Sequence, residues 1–188
     1  MPPPRRRTRP PSAALATGAA LVGLSACGPG PAAPPPSAEI GATADCLADD
    51  VVHTLLGRVP DGPPRPAPEP GTVPEDFVPV HVVECSLGPG EVRVLEPETS
   101  TIRVQEITRG GDLTSLLAAL DRPSREADPG QACPAVAILV PELYLVDRDG
   151  RAVRPVWPRD GCRLPDEAVD DALLALPEVD VRDLERRG

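Results

Sequence analysis

The chain has no lysine and no asparagine, and its aromatic side chains are one Phe, one Tyr and one Trp. Without lysine there is no Ser-x-x-Lys pair, and no serine sits in a Gly-x-Ser-x-Gly elbow, so these hydrolase motifs are missing. No two of the five cysteines are spaced Cys-x-x-Cys. Its absence argues against a thioredoxin-type redox site and against a structural zinc site. There is no glycine-rich loop and no regular alternation of strand and helix patterns. The apolar stretch at residues 13–26 is 14 residues long and includes Thr17, Gly18, Gly23 and Ser25. A helix that spans a membrane needs about 20 apolar residues, so this stretch does not suffice as a permanent anchor. With so few aromatics, any core must be built from small aliphatic side chains.

What is present begins with an arginine cluster, Arg5-Arg6-Arg7 with Arg9, followed by the short apolar run and then Leu24-Ser25-Ala26-Cys27. A positive region, an apolar region and small residues at the end form an export signal. Leu-x-Ala-Cys resembles the lipobox of bacterial lipoproteins. The resemblance implies that residues 1–26 are removed and that Cys27 carries a diacylglycerol on its thiol. The mature protein would then hang from the outer face of the plasma membrane. The rival reading is a cleaved secretory signal without lipid, since Ala26 also suits an ordinary signal peptidase.

The whole chain carries 19 basic and 29 acidic residues. Residues 1–26 hold four of the arginines and no acid, so 15 basic against 29 acidic residues remain, a net charge of −14. Such a surface offers no basic face to nucleic acid or anionic lipid headgroups. The abundance of Ala, Pro, Gly, Arg and Asp is also what GC-rich coding imposes, and it fits a high-GC Gram-positive bacterium. Four cysteines follow Cys27: Cys46, Cys85, Cys133 and Cys162. An even number in an exported chain reads as two disulfides, with three connectivities open. Pairing of sequence neighbours favours Cys46 with Cys85 and Cys133 with Cys162. Closing loops of about 30–40 residues in this way is worth roughly 3–4 kcal/mol each in the chain-entropy model.

Residues 27–44 are rich in Pro, Gly and Ala and read as a tether, which leaves a single domain from 45 to 188 with a proline-rich surface loop at 60–74. Within that domain, residues 45–56 suggest a short helix stopped by Gly57, and the valine-rich residues 77–85 a strand. Residues 91–95 and 101–107 alternate around a turn at 97–100 and suggest a hairpin. Asp112 caps a helix with Leu113, Leu116, Leu117 and Leu120 on one face, ended by Pro123. Residues 136–140 and 143–146 form an apolar run broken at Pro141, which suits a buried strand. The turn Asp147-Arg148-Asp149-Gly150 then leads into residues 151–156 as a hairpin. A last helix starts near Pro165 and stops at Pro177. The expected fold is α+β: a small antiparallel sheet with two or three helices packed on one face, braced by two disulfides.

Candidate chemistry is sparse. Asp147-x-Asp149-Gly150 opens like a calcium loop, but Arg151 stands where the next oxygen ligand belongs, and a hairpin turn explains it better. His53 and His81 lie in a predicted helix and strand without spaced carboxylate partners, and read as core or rim histidines. Asp170 and Asp171 fall on the solvent face of the last helix. No cofactor or metal motif appears. The segment from Leu143 to Val153 is similar to a hairpin of thioredoxin-like proteins, with Pro141 before it, yet the redox cysteine pair is missing.

A further resemblance is to the bacterial subtilisin-inhibitor family. It is carried by Gly111-Asp112-Leu113, by Cys133-Pro134-Ala135-Val136 and by Cys162, 29 residues beyond Cys133. That family is exported, has an antiparallel sheet with helices and holds two disulfides. Its reactive bond lies two residues after the corresponding cysteine, which here would be the bond between Ala135 and Val136. Two features depart from the pattern. The family's other disulfide joins cysteines close in sequence, whereas Cys85 has none between it and Cys133. The apolar residues after Cys133 also predict a buried strand rather than an exposed loop. As a whole the chain resembles lipoproteins and secreted proteins of high-GC Gram-positive bacteria with a Leu-Val-Asp-x-Asp-Gly-Arg-Ala-Val-Arg-Pro stretch, which implies a fold and no activity. The leading expectation is a non-catalytic, membrane-anchored binding or structural module of the cell envelope. A subtilisin-inhibitor-like protein and an enzyme of unrecognised type are the alternatives.

Overall fold

A computed structural model describes residues 34–58, 62–88, 101–136 and 138–187. The export signal, Cys27 and the strand and turn expected at 91–100 lie outside the described residues. Along the chain run α1 (Asp49–Leu56), β1 (Pro79–Ser86), β2 (Thr101–Arg109), α2 (Thr114–Leu120), β3 (Glu142–Asp147), β4 (Ala152–Val153), α3 (Glu167–Leu174) and β5 (Glu178–Arg187). The strands form one sheet in the order β4-β3-β1-β2-β5, every neighbour antiparallel. The fold is therefore α+β. Both disulfides are formed, Cys46–Cys85 and Cys133–Cys162.

The alternation of side chains along β1 and β3 is apolar on both sides, and this decides where the helices go. Val82, Leu143 and Leu145 point to one face, where they pack with Leu116 of α2, Val169 and Leu173 of α3, Phe77 and Trp157. Val83, Cys85, Tyr144 and Val146 point to the other, where Val51, Val52 and Leu55 of α1 cover them with Ile102 and Val104. Two helices, α2 and α3, thus share one face as expected, and α1 covers the other. The Cys46–Cys85 bond ties the start of the domain to the face that Cys85 occupies, and the Tyr144 hydroxyl donates to the Asp45 carbonyl at 3.0 Å on that side. Tyr144 is fully buried, and burial pushes its phenol up to about 12. Most of the remaining core is Val, Leu and Ile, each contributing about 1.5–3 kcal/mol when removed from water.

The local signals behave as their chemistry requires. Gly57 closes α1 in the left-handed region, φ 68°, where a Cβ would be strained. The Asp112 carboxylate accepts from the Thr114 hydroxyl and N–H at the start of α2, and these bonds hold its pKa below the ordinary value. Asp166 caps α3 by accepting from the Ala168 N–H. The Asp-x-Asp-Gly segment is a hairpin turn in which the Asp147 carboxylate accepts from Asp149 and Arg151 N–H groups and pairs with the Arg151 guanidinium. Desolvation pushes this carboxyl up, and the hydrogen bonds together outweigh it and hold it below its usual value.

Three expectations need correction. The described end of the predicted tether, residues 34–44, lies on the domain: Ser37 bridges to Thr72, Gly41 bridges to Ala152, and Ala38 is buried. The proline-rich stretch is likewise tied down, because Asp49 and Asp50 accept the N–H groups of Arg65 and Ala67. Second, the described residues 136 and 138–140 are not in a strand. Val136, Ile138 and Leu139 are 56%, 54% and 72% exposed, and β3 begins only at Glu142. Pro134 and Pro141 lack the N–H a ladder needs, and the Cys133–Cys162 bond draws the chain away from the sheet. Third, β5 has no counterpart among the expected elements. Its charged residues pair with β2 along the whole sheet edge.

Candidate functional site

Between Leu120 and Glu142 the chain is irregular and runs over the surface. Pro123, Pro129, Pro134 and Pro141 interrupt it, and each removes a donor that helix or sheet would use. The segment is nevertheless held. Gly130, at φ 82°, lets the Gln131 N–H reach the Asp128 carbonyl at 2.9 Å. The Arg125 N–H donates to the Arg159 carbonyl at 2.8 Å, and the Arg159 N–H to the Ser124 hydroxyl at 3.0 Å. Cys133 is then bonded to Cys162.

The loop that carries Cys162 is organised by a single carboxylate. Asp160 Oδ1 accepts from the N–H groups of Cys162 and Leu164, both at 2.8 Å. Its own backbone closes the turn with Leu164 and Arg163, and Arg163 adopts φ 63°. Gln131 joins the two loops: its Oε1 accepts the Asp128 N–H at 3.1 Å, and its Nε2 donates to Cys162 Sγ at 3.1 Å.

Beyond this junction Ala132, Pro134, Ala135 and Val136 are all exposed, followed by exposed Ile138 and Leu139. The chain becomes half-buried again at Val140 and enters β3. Val136, Ile138 and Leu139 thus expose three large apolar side chains within four positions, and exposed apolar patches mark surfaces used in binding. A run of exposed backbone outside the sheet can also pair, as an added strand, with the cleft of another protein. The structure therefore presents the Ala135 and Val136 pair, with a small side chain first, beside a disulfide.

The other residues singled out from sequence are dispersed. Cys46 and Cys85 are fully buried in the core. His53 is exposed on α1, and His81 is half-buried on β1 beside an irregularity in its pairing with β3. Asp170 and Asp171 are exposed on α3. Among the described residues no group of three or more His, Cys, Asp and Glu side chains is placed to hold a metal ion.

One cavity of about 630 Å³ opens between α2 and the segments at 71–77 and 155–158. Phe77, Leu117, Leu120 and Trp157 line it with several prolines, and Glu75, Asp121 and Arg122 supply its charges. Neither histidine lines it, and its one serine, Ser124, accepts the Arg159 N–H.

Sequence reasoning identified the Ala135 and Val136 pair but assigned the following residues to a buried strand. The two prolines, seven residues apart, were the signal that this run is not sheet. Asp160, Gly161 and Gln131 carried no sequence signal of their own, because their role exists only where the two loops meet. No protein-family model, curated protein or solved structure matches the chain.

Proposed function

We propose that this protein is a non-catalytic, extracytoplasmic binding module that inhibits serine proteases of the subtilisin type. The observation that carries the reading is the exposed Ala135–Val136 bond, set two residues beyond a disulfide-bonded Cys133. In such a reading the protease binds the segment as a substrate, with Ala135 in its specificity pocket. A segment already held in the bound shape loses little conformational freedom on docking, so affinity is high. The resemblance to the subtilisin-inhibitor family, quoted above on residues 111–113, 133–136 and 162, points the same way. The second disulfide differs from that family's pattern. Cys85 finds its partner in Cys46, within the additional N-terminal part of the domain, so this departure leaves the region around Ala135 untouched.

Two disulfides also support an oxidising compartment outside the cytoplasm. The export signal and Leu-Ser-Ala-Cys27 support attachment by lipid to the outer face of the plasma membrane. The domain would then guard the envelope around it against proteases that accept a small residue before the cut.

Titration of subtilisin with the full-length protein in mild detergent tests the function. Stoichiometric inhibition is expected, and Ala135→Pro should abolish it. Ala135→Arg should transfer inhibition toward trypsin-like proteases, whose pocket carries an acid. Rapid digestion of the wild-type protein without inhibition overturns the reading.

A further inference from the structure

At Gly161 the loop that carries Cys162 comes close to the loop that leads to Cys133. A Cβ at this position would stand 2.9 Å from Gln131 Oε1, 3.1 Å from the Ala127 Cα and 3.1 Å from the Glu126 carbonyl oxygen. Two of these three neighbours are backbone atoms, so they cannot rotate aside. The left-handed region is not what calls for glycine here, because Gly161 is not among the glycines of positive φ. Space calls for it. The same junction holds the Gln131 amide between the Asp128 N–H and Cys162 Sγ, and the Asp160 carboxylate beneath two backbone N–H groups.

We propose that Gln131, Asp160 and Gly161 form a seat for the exposed segment, as positioning residues that decide whether the Ala135–Val136 bond is held as an inhibitor's or hydrolysed as a substrate's. The inference rests on the inhibitor reading. When a serine protease attacks, its hydroxyl oxygen bonds to the Ala135 carbonyl carbon, the bond to the Val136 nitrogen breaks, and that nitrogen leaves as an amine. Two nucleophiles can then displace the serine: the Val136 amine, which restores the original peptide bond, or water, which completes hydrolysis. The acyl side of the cut is pinned through Cys133 to Cys162, and through Gln131 to the same loop. On the amine side, Val140 is half-buried against the core and β3 starts at Glu142. While the seat is closed, the amine remains opposite the acyl carbon and outcompetes water. When the seat opens, the two ends drift and water prevails. A misplacement of about 1 Å is enough to cost on the order of 10²-fold in a reaction that depends on such proximity.

The test uses the full-length protein, with Gly161→Ala to wedge the loops apart and Gln131→Ala to delete the bridge without adding bulk. Hydrogen exchange at the bonded amides of the junction, residues 131, 162 and 164, is measured without protease, and the cutting rate at Ala135–Val136 is followed by mass spectrometry with excess subtilisin. Both variants should exchange roughly tenfold faster at these amides while β1 and β3 keep wild-type protection. Both should also turn durable inhibition into inhibition that decays, with cutting at least about tenfold faster. Wild-type exchange and wild-type cutting in both variants overturn the seat. If Gly161→Ala loses protection in β1 and β3, it reports misfolding, and Gln131→Ala decides alone. Wild-type protein that is digested without inhibiting overturns the function, while the exchange data still decide whether the seat exists.

Discussion

Arg109 is 5% exposed, yet it carries a full charge into the junction of three elements. Its Nε donates to Glu84 Oε2 at 2.7 Å, its Nη1 to the Leu176 carbonyl at 3.2 Å and its Nη2 to Glu178 Oε1 at 3.1 Å. It thereby joins β1, β2 and the connection from α3 to β5. A buried pair of this kind is costly to desolvate, and its removal is asymmetric. Taking away one partner leaves the other charge stranded. Arg109→Met should therefore cost about 3–5 kcal/mol in urea unfolding, whereas the double variant Arg109→Met/Glu84→Leu should recover much of that loss. A single variant as stable as wild type would show that water already reaches the pair.

At the scale of elements the two disulfides differ in access. Cys46 and Cys85 are fully buried between α1 and the sheet. Cys133 is exposed and Cys162 half-exposed at the surface junction. Thiol–disulfide exchange needs an attacking thiolate to approach sulfur, so access sets the order of reduction. Mild dithiothreitol followed by alkylation and peptide mapping should label Cys133 and Cys162 first, with the far-ultraviolet circular dichroism of the sheet retained. In the inhibitor reading proposed above, inhibition should decay together with that labelling. Simultaneous labelling of all four cysteines would mean that the core opens as easily as the surface loop. The strand β5 illustrates a different device. It closes the sheet edge with charges, and the pairing of Arg182 with Glu106 and of Arg186 with Asp49 fastens it to the domain. Charged edge strands of this type discourage pairing with other chains.

For the whole molecule, the outstanding question is attachment. No helix among the described residues is long and apolar enough to cross a membrane. In the lipobox reading, anchoring falls to acyl chains on Cys27, and the described chain meets the domain at Pro36 and Ser37. Intact-mass analysis of protein extracted from membranes should show a chain beginning at Cys27 with diacylglycerol added. Cys27→Ala should release the protein into the medium. An unmodified Cys27, or equal release of wild type and variant, defeats lipid anchoring and leaves secretion. With the remaining net charge of −14, the anchored domain would attract cationic surfaces of a protease more readily than anionic headgroups.

Much of the architecture was legible without coordinates because it depends on local chemistry. The valine alternation of β1, the acids at the starts of α2 and α3, the Asp-Gly turn and the sequence-neighbour disulfides are each decided by a few adjacent residues or by short loop closure. What only the tertiary structure decided depends on residues distant in sequence. Whether apolar residues 136–139 are buried turns on the competition between sheet pairing and the pull of Cys162, and two prolines tip it toward solvent. The division of helices between both faces follows from which side of β1 Cys85 occupies, a matter of register that composition does not show. The charged strand β5 is invisible to hydrophobic patterning because its stability comes from backbone pairing with β2 and from cross-strand charge pairs. The seat at Gly161 is the extreme case: a missing Cβ has meaning only where two loops separated by some thirty residues come within van der Waals contact.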